Sequence, residues 1–291
     1  MKRAYLLAHP AGHSLSPVMH NAAFRYLSLN GHYEAVDVTP ENLAEMVQSL
    51  RDENIYGANV TIPHKLAVMP MMDKLSKAAK TIGAVNTIVN HGGELVGHNT
   101  DGAGFLQGLE DEKVFLRKKV AVMLGAGGAA RAIAYALLNS GVAKLWIYNR
   151  TVERATELVK EFARVGSAAV LKEDELPFII RQAEILVNTT SVGMEHGGLA
   201  PDESPLPEGL LPKQGFVCDI IYRPAKTKLL HDSREANLKI QNGLPMLVYQ
   251  GAEAFRLWTG QEAPAHVMME AAKSVLQKSE EKGVRREEFL V

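Results

Sequence analysis

The hydrophobic positions along the chain alternate between short apolar runs and longer segments with apolar residues at helical spacing. The runs predict buried strands and the longer segments predict helices, a succession typical of parallel α/β architecture. Strands are predicted at residues 3–10, 33–38 and 56–62, with one helix at 16–31, closing at Gly31, and another at 39–54. Residues 65–83 are predicted to be mostly helical, and residues 84–101 to form two strands joined by a Gly-Gly turn.

A charged interval without a core pattern, residues 109–120, separates this half from a second succession. The second half opens at residues 118–141 with a strand, a glycine-rich turn and a helix. Further strands are predicted at 144–151, 185–194, 216–222 and 238–243, and further helices at 151–166 and 223–237. This βαβ succession is that of a dinucleotide-binding domain.

Two more helical patterns, at residues 244–260 and 263–283, follow that domain and need a surface for their apolar faces. We expect them to return to the first domain. The prediction is therefore an N-terminal α/β domain of residues 1–110, completed by residues 245–291, and a Rossmann-type domain of residues 111–244. The closing residues 284–291 form a charged tail to which the pattern gives no role.

Composition excludes several classes of protein. With 46% hydrophobic and 22% charged residues the chain is globular, and its net charge of -1 offers no general attraction to nucleic acid or an anionic membrane. Cys218 is the single cysteine, which excludes an intrachain disulfide and favours a reducing compartment. His9 and Pro10 interrupt the first apolar run, so it does not predict a signal peptide. We expect a cytoplasmic protein, either a monomer or a homodimer.

The glycine-rich turn carries the strongest chemical signal. Gly125, Gly127 and Ala130 have the dinucleotide-binding spacing between a strand and an Ala-rich helix. Glycine permits the tight turn and lets the backbone approach a pyrophosphate at the positive end of the helix. A glycine-rich turn without a ligand is the alternative. The turn residues predicted to contact a cofactor are Gly125, Ala126, Gly127, Gly128 and Ala129.

The next strand ends in Asn149 and Arg150, where NAD-binding folds usually present a carboxylate to the ribose. The missing carboxylate and the added guanidinium favour a 2′-phosphate, and therefore NADP. Thr151 offers a hydroxyl, and Arg154 lies one helical turn further on. Alternatively, Asn149 and Thr151 only begin the helix and Arg150 is solvated.

Ser14 and Ser16 lie just before a helix, where hydroxyl and free amide groups bind a small carboxylate. Ser16 before Pro17 is also a good N-cap, which explains the pair without a ligand.

Four other polar residues of the first half stand at similarly ambiguous positions. Thr61 and Lys65 follow a strand that Pro63 ends, and a lysine there is usually a solubilising charge. Asn86 lies in an apolar strand, so it needs a partner if it is buried. Asp101 lies at a predicted helix start, where an N-cap role also explains it.

Several stretches taken together closely resemble the shikimate dehydrogenase family: SLSPVMHNAAF, GANVTIPHK, GAVNTIV, HNTDGAGF, GAGGAA, NRT and YQGAEAF. They run from Ser14 to Phe255 in the family's order. The resemblance implies a substrate domain, a Rossmann-type domain, and reversible NADP-linked reduction of 3-dehydroshikimate to shikimate in aromatic amino-acid biosynthesis.

The resemblance also implies a role for each matching residue. Lys65 and Asp101 correspond to the catalytic pair. The implied substrate contacts are Ser14 and Ser16 to the carboxylate, Thr61, Asn86, Asp101 and Gln250 around the ring hydroxyls, and Tyr222. The implied cofactor contacts are the glycine turn, Asn149, Arg150 and Thr151, with Ile220 and Gly243 near the nicotinamide.

Reducing a ketone requires a hydride and a proton for the developing alkoxide, which an ammonium group such as that of Lys65 can deliver. Burial lowers the pKa of a lysine and a neighbouring Asp101 raises it, so the sequence leaves the balance open. His64 is the commoner kind of acid, but adjacent side chains at a strand end diverge, and the family pattern selects the lysine. A metal site is not predicted, because His9, His13 and His20 lack a supporting set of carboxylates and cysteines.

Three alternatives stay open at this point. The first is a related enzyme that accepts quinate or prefers NAD. The second is a catalytically silent homologue that senses the ligand and controls a partner. Lys65 and Asp101 are both present, which argues against it. The third is a structural or interaction protein, which the set of polar residues disfavours.

Overall fold

The structure is a computed structural model that describes residues 1–12, 14–195 and 202–288. It divides into two compact units. The first consists of Met1–Thr100 and Val248–Val291, and the second of Asp101–Leu247. Both units combine helices with a sheet, so the predicted α/β fold class is confirmed.

The first unit contains one mixed sheet with the strand order β2-β1-β3-β5-β6-β4. Its strands are β1 (Lys2–Ala8), β2 (Gly31–Asp37), β3 (Ile55–Val60), β4 (Lys74–Leu75), β5 (Thr87–His91) and β6 (Glu94–His98). β1 is parallel to β2 and β3, whereas β5 is antiparallel to β3 and β6. Its helices are α1 (Ser16–Tyr26), α2 (Leu43–Ser49) and α3 (Lys77–Ile82).

The second unit contains a sheet of six parallel strands in the order β12-β11-β10-β7-β8-β9. They are β7 (Val120–Leu124), β8 (Lys144–Tyr148), β9 (Ala168–Val170), β10 (Ile185–Asn188), β11 (Phe216–Asp219) and β12 (Lys239–Gln241). The helices are α4 (Asp101–Asp111), α5 (Gly128–Asn139), α6 (Val152–Glu161), α7 (Leu176–Gln182) and α8 (Lys228–Glu235). The strand order reverses between β7 and β10, and such doubly wound sheets bind ligands at the carboxyl ends of these strands.

Alternate residues of β7 pack into two different cores, because successive side chains of a strand point to opposite faces. Ala121 and Met123 lie in a core with residues of α4, α5 and α6. Val122 and Leu124 lie in a second core with residues of α7 and α8. Helices therefore cover both faces of this sheet, and this protection explains the near-continuous apolar character of its strands.

Two helices end the described chain, α9 (Leu244–Thr259) and α10 (Ala265–Glu288). From Val248 onwards they belong to the first unit, where α10 packs against α1. Phe24 of α1 and Phe255 of α9 have ring centroids 4.8 Å apart, so α9 also contacts α1. Leu7, Val47 and Ile88 belong to an apolar core of the same unit.

Local contacts shorten or split several predicted helices. The helix predicted to close at Gly31 ends at Tyr26, since Ser28 takes a left-handed φ of 54° and Leu29 N–H donates to Phe24 O. The predicted helix at 39–54 is a 3₁₀ turn followed by the short α2. In contrast, α10 extends to Glu288, past the predicted end at 283, and residues 289–291 lie outside the described chain.

The prediction for residues 65–83 was wrong, since the segment holds a 3₁₀ turn, the two-residue β4 and the six-residue α3. Asp73 explains the interruption, because its carboxylate accepts hydrogen bonds from Arg51 Nη1 at 2.6 Å and from the Leu95 amide at 2.7 Å. β4 then pairs with β6. The sequence pattern also missed β9 and α7.

The division between the units falls earlier than the predicted boundary after residue 110, and it places α4 in the second unit. Close packing of α4 on α5 explains this position. A Cβ added at Gly102 would lie 3.0 Å from Ala132 O and 3.2 Å from Ala136 Cβ. The glycine therefore lets the two helices approach closely.

Candidate active site

Lys65 and His64 follow β3 and have different environments. His64 is 1% exposed, and its Nε2 lies 2.7 Å from the carbonyl oxygen of Val38, to which it donates. Lys65 is half-buried, and its backbone carbonyl accepts from the Val85 amide at 2.8 Å. The imidazole of His64 is therefore held inside the first unit, away from solvent.

Ser14 and Ser16 are linked at the start of α1. The hydroxyl of Ser14 accepts a hydrogen bond from the backbone amide of Ser16 at 3.1 Å. Leu15 occupies the N-cap position, and its own side chain makes no capping hydrogen bond. Ser16 is thus the first helical residue, not the N-cap that the alternative reading of the sequence required. It is 4% exposed.

Asn86 and Gln250, both predicted substrate contacts, meet within the first unit. The amide nitrogen Nδ2 of Asn86 donates to Gln250 Oε1 at 3.3 Å. Its oxygen Oδ1 accepts from the Thr100 amide at 2.8 Å and from the Thr87 hydroxyl at 2.9 Å. Because these donors fix the oxygen, the NH₂ group of Asn86 faces Gln250.

Buried polar residues extend this network towards α1. Tyr33 donates from its hydroxyl to Asn59 Oδ1 at 2.9 Å, and Asn59 Nδ2 donates to Thr87 Oγ1 at 3.1 Å. Burial raises the pKa of Tyr33, and a hydrogen-bonding contact with Ser16 opposes the shift. Tyr33, Asn59 and Thr87 were not predicted from the sequence. Asn59 could have been, because, like Asn86, it is a polar residue in an apolar strand and needs a hydrogen-bond partner if it is buried.

His20 stacks on Tyr33 with ring centroids 4.3 Å apart. It is fully buried, and burial lowers its pKa to about 3, so that the ring is neutral. His9 is exposed beside Asp37, and His13 lies outside the described residues. Across residues 1–12, 14–195 and 202–288, no group of three His, Cys, Asp or Glu side chains is placed to hold a metal ion.

The glycine turn lies between β7 and α5 in the second unit. Gly125 has a φ of +107°, and a Cβ there would lie 2.6 Å from Thr189 Oγ1. Gly127 is the N-cap of α5, and a Cβ added there would meet no described atom within 4 Å. The space next to Gly127 at the start of α5 is therefore open, which suits the close approach of a phosphate.

Asn149, Arg150 and Thr151 connect β8 to α6. Asn149 Nδ2 donates to the Thr151 carbonyl at 2.7 Å, and Thr151 is the N-cap of α6 without a side-chain cap bond. Arg150 and Arg154 are exposed, and neither forms an ion pair with any residue that the structure describes. Two cations therefore stand beside an uncapped helix start.

The other predicted residues of the second unit lie at the ends of its elements. Asp101 is the first residue of α4 and is 5% exposed. Ile220 and Tyr222 follow β11, and burial raises the pKa of Tyr222. Gly243 approaches the Ile220 backbone so closely that a Cβ would overlap the Ile220 carbonyl. In the first unit, Thr61 donates its backbone amide to Leu7 O at 3.0 Å.

No helix in the described part of the chain has both the length and the apolar character needed to cross a membrane.

Comparison with known proteins matches residues 6–88 to the shikimate dehydrogenase substrate binding domain, 109–195 to shikimate / quinate 5-dehydrogenase, and 243–273 to the shikimate 5′-dehydrogenase C-terminal domain. A curated shikimate dehydrogenase (NADP(+)) of Methanopyrus kandleri is 47% identical over 272 residues, which cover 91% of this chain and 93% of that protein.

Two solved structures share the fold over nearly the whole chain. The shikimate 5-dehydrogenase of Thermus thermophilus in complex with NADP(H) and shikimate is 43% identical, with a TM-score of 0.86, covering 94% of this chain and 99% of that one. The quinate dehydrogenase of Corynebacterium glutamicum in complex with NAD is 30% identical, with a TM-score of 0.84 and the same coverage.

Proposed function

The chain belongs to the shikimate dehydrogenase family, and on that premise we propose that it catalyses the reversible NADP-linked reduction of 3-dehydroshikimate to shikimate. The observation that carries the proposal is the Thermus structure, which holds both NADP(H) and shikimate and is 43% identical to this chain. The reaction belongs to aromatic amino-acid biosynthesis. We place it in the cytoplasm, because the one cysteine, Cys218, suits a reducing compartment.

The second unit has the groups that NADP requires. The start of α5 offers amide groups beside Gly127 to the pyrophosphate, and Arg150, Thr151 and Arg154 offer charge and a hydroxyl to the 2′-phosphate. No carboxylate stands at Asn149 to repel that phosphate. When bound, the cofactor supplies the hydride. Ile220 and Gly243 are the residues that we assign to its nicotinamide end.

Lys65 and Asp101 are the proposed catalytic pair. The ammonium group of Lys65 donates a hydrogen bond to the substrate oxygen and delivers a proton as negative charge develops there. Asp101 is the second residue of the proposed pair. His64 is a poor substitute, because its imidazole already donates to the Val38 carbonyl inside the first unit.

The first unit supplies the proposed contacts that orient the substrate. Ser14 and Ser16 bind the carboxylate at the start of α1. The NH₂ group of Asn86 and the side chain of Gln250 bind ring hydroxyls, joined by Thr61. Asp101 and Tyr222 are the contacts proposed from the second unit. Because the amide of Asn86 is already oriented, little conformational entropy of this side chain is lost when the substrate binds.

One assay separates this function from its alternatives: kcat/KM for shikimate and for quinate, each with NADP and with NAD. We expect shikimate with NADP to give the highest value and a Lys65→Met variant to lose it. Faster turnover of quinate with NAD would make the chain a quinate dehydrogenase. Shikimate binding, measured by calorimetry, without turnover under any of these conditions would indicate a ligand-sensing homologue.

A further inference from the structure

A buried carboxylate lies at the carboxyl end of β11, next to the proposed cofactor and substrate residues. Asp219 is 0% exposed. Its Oδ1 accepts from Asn188 Nδ2 and from the Ile221 amide, both at 3.0 Å, and its Oδ2 accepts from Thr227 Oγ1 at 2.8 Å. Burying a carboxylate is costly unless its oxygens are hydrogen-bonded, and these three neutral donors supply the bonds.

The donors come from three separate parts of the second unit. Asn188 ends the neighbouring strand β10, Ile221 follows Asp219, and Thr227 is the N-cap of α8. The Thr227 hydroxyl also accepts from the Leu230 amide at 3.4 Å, so one side chain serves both the helix and the carboxylate. Asp219 therefore joins the two ends of the loop between β11 and α8.

Further bonds hold the start of that loop. The Ile220 amide donates to the Asn188 carbonyl at 3.1 Å, and the Gly243 amide donates to the Ile221 carbonyl at 2.9 Å. Next to Asn188, Thr189 Oγ1 donates to the Leu124 carbonyl at 2.7 Å and lies against Gly125. The bonds around Asp219 thus adjoin the glycine turn at the point where the strand order reverses.

We infer that Asp219 is a positioning residue that holds the segment carrying Ile220 and Tyr222 in its productive geometry without contacting cofactor or substrate. The inference rests on the proposed function, which assigns Ile220 to the nicotinamide and Tyr222 to the substrate. A displacement of about 1 Å costs on the order of a hundredfold in rate, so loss of this anchor lowers turnover more than it lowers the folded population.

The test compares Asp219→Ala and Asp219→Asn with Val217→Ala. Val217 is fully buried in the same strand, and its truncation destabilises the unit while leaving the bonds of Asp219 in place. Under conditions in which the same fraction of each variant is folded, we expect kcat/KM for shikimate to be roughly ten- to a hundredfold lower in Asp219→Ala than in Val217→Ala. Asp219→Asn, which keeps an acceptor for Ile221, recovers part of that loss.

Amide hydrogen exchange gives a readout that does not depend on activity. The Ile221 amide, which donates to Asp219, should exchange faster in Asp219→Ala than in the parent and stay protected in Val217→Ala.

If Asp219→Ala does not fold, Thr227→Val removes one donor, with Thr227→Ser as its matched control. Equal kinetics for the Asp219 or Thr227 variants and Val217→Ala at matched fraction folded would overturn the inference. A parent without shikimate turnover would instead count against the proposed function, whereas the exchange of Ile221 would still report on the anchor.

Discussion

The side-chain amide of Asn86 lies 3.3 Å from Oε1 of Gln250, although 164 positions separate the two residues in the chain. Thr87 and Thr100 hold the Asn86 oxygen, so the orientation of the amide does not depend on a ligand. Helix α9 brings Gln250 to this point from the far end of the sequence. The first unit therefore presents its proposed ring-binding groups in a fixed arrangement, and this preorganisation underlies the expectations for substrate binding below.

Replacing Lys65 with alanine should lower kcat by ~100- to 10,000-fold while shikimate still binds, because the ammonium group matters chiefly when charge develops on oxygen. Steady-state kinetics and shikimate titration by calorimetry measure the two effects. Lys80→Ala removes an exposed lysine of the same unit and serves as the control. A near-normal kcat for Lys65→Ala would remove this residue from the mechanism.

The double variant Ser14→Ala/Ser16→Ala should raise the KM for shikimate by roughly tenfold or more, if each hydrogen bond to the carboxylate contributes ~1.5 kcal/mol. The KM for NADP should hardly change. The hydroxyl of Ser14 also accepts a hydrogen bond from the backbone amide of Ser16, so the free energy of unfolding is expected to fall as well, by up to about 1 kcal/mol. Ser49→Ala, at an exposed serine, is the control. Reduced stability with an unaltered KM would leave the serines a purely structural role.

Arg150→Ala should change the choice between NADP and NAD, because the 2′-phosphate is the part of the cofactor that differs. Losing a charge-assisted contact costs ~1.5 to 3 kcal/mol, or about ten- to a hundredfold in KM for NADP, while activity with NAD stays almost constant. Added salt should weaken NADP binding more in the parent than in the variant. Asn149→Asp should go further, since a carboxylate there repels the phosphate.

The measurement is kcat/KM for both cofactors, with Arg164→Ala as a control at another exposed arginine of the second unit. Arg154 offers a second cation and softens the effect. An unaltered ratio of NADP to NAD in Arg150→Ala would show that the specificity lies elsewhere.

Asp219 should make the stability of the protein depend on pH. Burial raises its pKa to about 6 from the ordinary value of 3.8, against the opposing hydrogen bonds from Ile221, Thr227 and Asn188. The folded state therefore holds the proton more tightly than the unfolded chain. The stability that this group contributes is fully present below pH ~4 and is lost as the pH rises through about 6.

Asp219→Asn removes this titration. Between pH 4 and 7 the free energy of unfolding of the parent should therefore fall relative to that of Asp219→Asn, by on the order of 2 to 3 kcal/mol. Urea denaturation of both proteins across this range measures the difference, with Val217→Ala as a control that keeps the carboxyl group. A constant difference between parent and Asp219→Asn would contradict the shifted pKa.

Features that depend on neighbouring residues were predictable from the sequence. Five strands of the second unit (β7, β8, β10, β11 and β12), the hairpin of β5 and β6 and the start of α5 follow from hydrophobic period and glycine stereochemistry, which act over a few positions. The family was recognisable for a related reason, because its motifs are short and contiguous, and the matched domains confirm it. The roles of Lys65 and Asp101 stay predictions.

Tertiary structure decided which polar residues have partners and which elements end early. Nothing near His64 in the chain predicts its bond to the carbonyl of Val38. The helix predicted at residues 65–83 is interrupted where the Asp73 carboxylate accepts hydrogen bonds from Arg51 and from the amide of Leu95. Asp219 looks like an ordinary strand-end residue until its neighbours are known. A buried polar group is stabilised by its hydrogen-bond partners, and folding brings those partners from distant positions, so the sequence determined the local elements and the fold determined their polar contacts.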